Sequence, residues 1–72
     1  MSVPYLKLAE MIEMQILTGQ LSAGEKLPSL RELAERHELK PNAVQRSLKV
    51  LTAKGVVESK HGAGYYVARR NE

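Results

Sequence analysis

The sequence predicts a small, mainly α-helical domain that ends in a short β-hairpin. Three observations carry that expectation. Apolar residues recur at helical spacing in three separate segments, and Ser29 to Glu32 matches a Ser-x-x-Glu helix-start signature. Two β-prone runs, VVESK and YYVAR, flank the turn His61-Gly62-Ala63-Gly64. Seventy-two residues make one domain, able to bury roughly 60% of its unfolded surface around one modest core. It is expected to span residues 1–69, with Arg70-Asn71-Glu72 as the start of a linker or a frayed end.

The first segment, PYLKLAEMIEMQILTGQL, places Tyr5, Leu8, Ala9, Ile12 and Ile16 on one helical face. Pro4 suits the first turn, and Gly19 suits the position just past the helix end. Met11 and Met14 fall off that face. The turn-rich SAGEKLPS follows, with Lys26-Leu27 as a candidate very short strand. A second helix of about nine residues then runs from the capping box to His37, turning Leu30, Leu33 and Ala34 inward. It is expected to stop before Leu39.

The third helix begins oddly. Lys40-Pro41-Asn42 opens it, yet lysine caps poorly and its charge opposes the positive end of the helix dipole. Pro41 fits as first helical residue, because its missing N–H would be an orphan there. At about 100° per residue, Val44, Ser47, Leu48 and Leu51 cover one side and Asn42, Gln45, Arg46 and Lys49 the other. Gly55 ends the helix before the hairpin. Three helices with a helix-turn-helix and a trailing hairpin make the winged helix-turn-helix plan.

Composition narrows the function. Hydrophobic residues at 43% with charged residues at 26% fit a globular chain. No apolar run approaches a membrane span, and without cysteine there is no disulfide framework or thiolate metal site. The net charge of +3 is unevenly spread. Up to Glu38 there are four Lys/Arg against six Asp/Glu; from Leu39 there are seven against two. A positive field confined to one half is expected of a nucleic-acid face.

The outward row of the third helix fits that field. Asn42 and Gln45 are types that read adenine bidentately, Arg46 forks onto guanine or phosphate, and Lys49 neutralises phosphate. The row holds no acid, whereas the exposed faces of the first two helices mix both signs. Lys40 and the free N–H groups behind it can meet a phosphate together, which would account for the poor cap. Lys60 and His61 flank the hairpin glycines, and a thin basic tip suits a minor groove. Arg31 admits two readings from spacing: a phosphate contact, or an ion pair with Glu35. Enzyme readings fail. His37 and His61 lie in unrelated segments without carboxylates at ligand spacing, and no serine or threonine has a base partner. No catalytic residue, metal or cofactor is expected.

The stretch ILTGQLSAGEKLPSLRELAE, with Asn42 to Arg46, Gly55-Val56-Val57 and Gly62-Ala63-Gly64-Tyr65-Tyr66-Val67, resembles the DNA-binding domain of the GntR family of bacterial transcription regulators. The likeness covers Tyr5 to about Val67. It implies a winged helix on operator DNA, with Arg31, the third-helix start including Ala43, and His61-Gly62 as contact positions. Where the family commonly has Ser-Arg-x-Thr-Val-Arg, this chain has Lys40-Pro41-Asn42-Ala43-Val44-Gln45, closer to the YtrA-type branch.

The expected function is therefore sequence-specific binding of a double-stranded DNA operator by a transcription regulator. It is expected to repress, as a dimer on a palindrome, in the bacterial cytoplasm and on the nucleoid when bound. Asn42, Gln45 and Arg46 would read bases. Ser29, Arg31, Lys40, Lys49 and Lys60 would hold phosphates, with His61 and Gly62 at the minor groove. The resemblance further implies a C-terminal part beyond this sequence that dimerises the protein and takes any small-molecule effector. The alternative is a winged-helix protein-interaction module using Leu6, Met11, Met14 and Leu17.

Overall fold

Most helix ends follow local chemistry, and the end of α2 departs from it most plainly. The computed structural model describes residues 3–60 and 64–69, arranged as α1 (Pro4–Leu17), α2 (Leu30–His37), α3 (Pro41–Ala53), β1 (Val57–Lys60) and β2 (Gly64–Val67). Pro4 and Pro41 each occupy the start of their helix. The capping box of α2 is complete: the Ser29 hydroxyl accepts from the Glu32 N–H at 3.1 Å, and Glu32 Oε1 accepts from the Ser29 N–H at 3.2 Å. Gly55, at φ +79°, ends α3. Its N–H donates to Thr52 O and the Val56 N–H reaches back to Leu51 O, satisfying two terminal carbonyls.

That departure closes α2. Glu38 is the one non-glycine residue with positive φ among those described, at φ 54° and ψ 45°. It allows the Leu39 N–H to donate to Ala34 O at 2.9 Å, turning the chain sharply toward α3. A side chain in this left-handed region costs on the order of 1–2 kcal/mol.

Amphipathic rows then assemble the core. Leu8, Ala9 and Ile12 of α1, Leu33 and Ala34 of α2, and Val44, Leu48 and Leu51 of α3 are buried together with Leu27, Val56, Val57 and Val67. Tyr5 and Ile16, at the ends of the α1 row, are half-buried. Val44, Ser47, Leu48 and Leu51 are 0% exposed, so α3 is the axis of the domain, packed on both α1 and α2. Ser47 earns its buried place by donating its hydroxyl to Tyr5 O at 2.6 Å, with Ala43 O at 3.1 Å.

The hairpin is antiparallel, with Val57 opposite Val67 and Lys60 opposite Gly64. The short strand expected at Lys26-Leu27 is present as an isolated bridge from Lys26 to Tyr66. Gly24 and Leu27 donate to Val67 O and Tyr65 O, and the Val67 N–H donates to Glu25 O. This pairing fastens the α1–α2 connection to the hairpin and fixes where α2 begins.

Glu38→Gly removes the left-handed penalty while leaving the turn in place. The substitution is expected to stabilise the domain by about 1 kcal/mol, allowing for the entropy of glycine in the unfolded chain. Urea denaturation should show a higher midpoint at unchanged slope.

Candidate nucleic-acid interface

One face of α3 is core, so its other face is presented without obstruction. Asn42, Gln45, Arg46 and Lys49 are all exposed, and Ala43 beside them is half-buried. The row is contiguous because residues three and four apart are neighbours on a helix. No acidic residue occurs anywhere in α3. Ser29, Arg31, Lys40 and Lys60 are exposed as well. Thus every predicted site residue within the described set except Ala43 is exposed, and His61 and Gly62 lie outside the described residues.

The start of α3 has the chemistry that its sequence suggested. Lys40 is the N-cap, with extended backbone and no side-chain cap hydrogen bond. Its carbonyl accepts from the Ala43 and Val44 N–H groups at 2.9 and 3.2 Å. Pro41 has no N–H, so the N–H groups of Lys40 and Asn42 are the donors left over at this end. The positive end of the helix dipole thus carries a lysine as its N-cap and no acidic residue in the first turn.

Arg31 sits one residue into α2. The ion pair with Glu35 that its spacing allowed is not formed; among the described residues the ion pair is Lys54 with Glu13, at 2.9 Å. Arg31, Lys40, Asn42, Gln45 and Lys49 make no side-chain hydrogen bond or ion pair among the described residues. Their polar atoms are directed to solvent and available to a ligand. Ser29 accepts its capping bond through oxygen and retains its own proton to donate.

Two aromatic contacts were not legible in the sequence. The Arg46 guanidinium lies 5.8 Å from the centroid of the Tyr5 ring, and Lys60 Nζ lies 5.7 Å from that of Tyr66. The second follows from hairpin register, since Lys60 opposite Gly64 brings Tyr66 diagonally near on the same face. The first joins residues 41 positions apart and has no local signal. Among the described residues no group of three His, Cys, Asp or Glu could hold a metal ion. No described helix is long and apolar enough to cross a membrane.

Comparison with known proteins bears on the family and the fold. The family model "Bacterial regulatory proteins, gntR family" matches residues 4–67. The chain is 35% identical over 68 residues to an uncharacterised HTH-type transcriptional regulator, YhcF, of Bacillus subtilis (strain 168), covering 94% of this chain and 56% of YhcF. It is 34% identical over 64 residues to the HTH-type transcriptional repressor YtrA of the same strain, covering 89% of this chain and 49% of YtrA. The chain thus spans about half the length of these two relatives. Among solved structures, the DNA-binding domain of AraR in complex with operator ORX1 superposes with a TM-score of 0.91 at 25% identity, covering 94% of this chain and 82% of that one. The fold is therefore a winged helix-turn-helix, and these relatives are transcription regulators rather than enzymes.

Lys40→Ser should stabilise the free protein by about 0.5–1 kcal/mol, because serine caps where lysine does not. Thermal melting of the two proteins measures it; an unchanged or lower midpoint would show that Lys40 is not a poor cap.

Proposed function

The chain belongs to the gntR family of bacterial regulatory proteins and is a transcription-regulator DNA-binding domain; from that premise we propose that it reads a specific double-stranded operator with the outward face of α3. The observation that carries this reading is that face itself: Asn42, Gln45, Arg46 and Lys49 in one exposed, acid-free row behind an uncapped basic start. A helix of this diameter fits the major groove, where base edges carry an unambiguous donor and acceptor pattern.

The roles follow from donor geometry. Asn42 and Gln45 each offer an amide that pairs with adenine N6 and N7, and Arg46 offers a fork for guanine O6 and N7. Lys40, together with the Asn42 N–H, receives one phosphate, and Lys49 a second. Arg31 and Ser29 at the start of α2 hold the backbone on one flank, and Lys60 on β1 holds it on the other. His61 and Gly62 complete the wing in this proposal. Phosphate contacts fix register, and base contacts supply specificity.

The likeness to YtrA, a transcriptional repressor, supports repression as the regulatory outcome. Dimerisation on a palindrome is proposed through a further part of the protein, corresponding to the other half of those relatives. The same part is proposed to hold any effector site. One observation favours a different reading, a protein-interaction module: Val3, Leu6, Met11, Met14 and Leu17 are large apolar residues left exposed on or beside α1. The two readings respond oppositely to charge reversal on α3.

Selection from a randomised duplex pool at two salt concentrations is the direct test. Wild type should enrich a defined site; Arg46→Ala should weaken it and relax preference at one base position, by about 1–3 kcal/mol. Lys49→Ala should weaken all sequences alike and lower the salt slope by about 1. Binding without sequence preference in the wild type would sink direct readout by α3.

A further inference from the structure

The Tyr5 ring beneath Arg46 is not explained by core packing alone. Tyr5 lies in the first turn of α1, half-buried, with its ring centroid 5.8 Å from the guanidinium carbon. That separation is inside the range in which a ring face attracts a cation. The contact is held in register by the backbone beneath it. Ser47, adjacent to Arg46 and fully buried, donates to the Tyr5 carbonyl at 2.6 Å. One turn further along α1, Leu8 and Ala9 are locked in the core. That bond sets the backbone of residue 5 beside the start of both side chains, so the ring and the guanidinium leave the backbone within reach of each other.

Arg46 also has a distinct place on α3. At about 100° per residue it lies about 40° from Asn42, toward Ala43 and Ser47. That is the flank facing α1, because Ser47 bonds α1 there. Arg46 makes no ion pair among the described residues. A carboxylate in place of the ring would absorb both its charge and its N–H groups. A π face attracts the cation without taking those hydrogen bonds, so the fork stays free for DNA.

We propose that Tyr5 is a positioning residue for Arg46, holding its guanidinium at the α1 edge of the DNA-reading face before DNA arrives. Arginine is rich in rotamers, and ordering such a side chain on binding weakens affinity. The ring narrows that set in advance. The first turn of α1 thereby contributes to recognition without touching a base. The inference rests on the DNA-reading role proposed for the α3 face.

The test is a double-mutant cycle on the operator selected above, joined to a measurement on the free protein. Tyr5→Phe keeps the π face and should bind within twofold of wild type. Tyr5→Leu keeps apolar bulk without the face and should weaken binding about two- to fivefold. In an Arg46→Ala background the same Tyr5→Leu change should have less than a twofold effect. In the free protein, NMR should place the Arg46 side-chain protons upfield in wild type and Tyr5→Phe and return them toward random-coil values in Tyr5→Leu. Equal losses in both Arg46 backgrounds would make Tyr5 a merely structural residue and overturn the proposal. A loss in Tyr5→Phe matching that in Tyr5→Leu would assign the effect to the hydroxyl and overturn it too. Unshifted Arg46 protons in wild type would overturn it without reference to DNA, whereas failure of the α3-face reading would appear as sequence-blind binding with those shifts intact.

Discussion

Everything in this domain depends on α3 being buried along one side with almost no tolerance. Val44, Ser47, Leu48 and Leu51 have no exposed surface, and they touch both other helices and the base of the hairpin through the shared core. A helix held that firmly has no freedom to roll. Its remaining residues are therefore presented in a fixed rotational phase. Leucine and valine on the inside thus determine where asparagine, glutamine and arginine stand on the outside. Ser47 sharpens the arrangement, because a single hydroxyl bonded to Tyr5 O also fixes how far α3 slides along α1. Loss of packing beneath α3 would loosen the rotational phase of its exposed row.

Two departures from local preference lie within three residues of one another. Glu38 adopts a left-handed backbone that glycine would adopt more readily, and Lys40 stands at a helix start where serine would be better. Together they form the turn between α2 and α3. Strain of this kind persists only when surrounding structure over-determines it. Here the Leu39 N–H bond to Ala34 O, the packing of Leu39 against the core and the Pro41 start of α3 supply that support. Lys40 puts a positive charge at the start of α3, so the stability sacrificed locally lies next to the surface proposed to meet phosphate.

Much of this was legible from spacing. The three helices, the capping box and the buried row of α3 follow from apolar period and end chemistry, and the exposed row follows from the buried one by geometry. The Lys26 bridge was visible as a weak hint. What escaped were features created by tertiary contact or by tolerated strain. Nothing in the residue type of Glu38 announces positive φ, since most glutamates avoid it. Nor does spacing reveal that Tyr5 meets Arg46, because that contact exists only once α1 has docked on α3. The reverse also occurred: the Arg31–Glu35 spacing permitted an ion pair that the exposed side chains do not make. Surface pairs of that sort gain little, and solvent competes with them effectively.

The bridge at Lys26 has a wider consequence. Because residues 24–27 hydrogen-bond along one side of β2 and β1 along the other, β2 is an interior strand of a very small sheet. The side of β1 away from β2 is then the open border, four residues long and carrying Glu58 and Lys60. Short, charged borders of this type discourage strand addition by another molecule. A bare two-stranded hairpin would leave an edge of each strand open to backbone pairing with another molecule. The connection that positions α2 thus also shields the wing from the wrong neighbours.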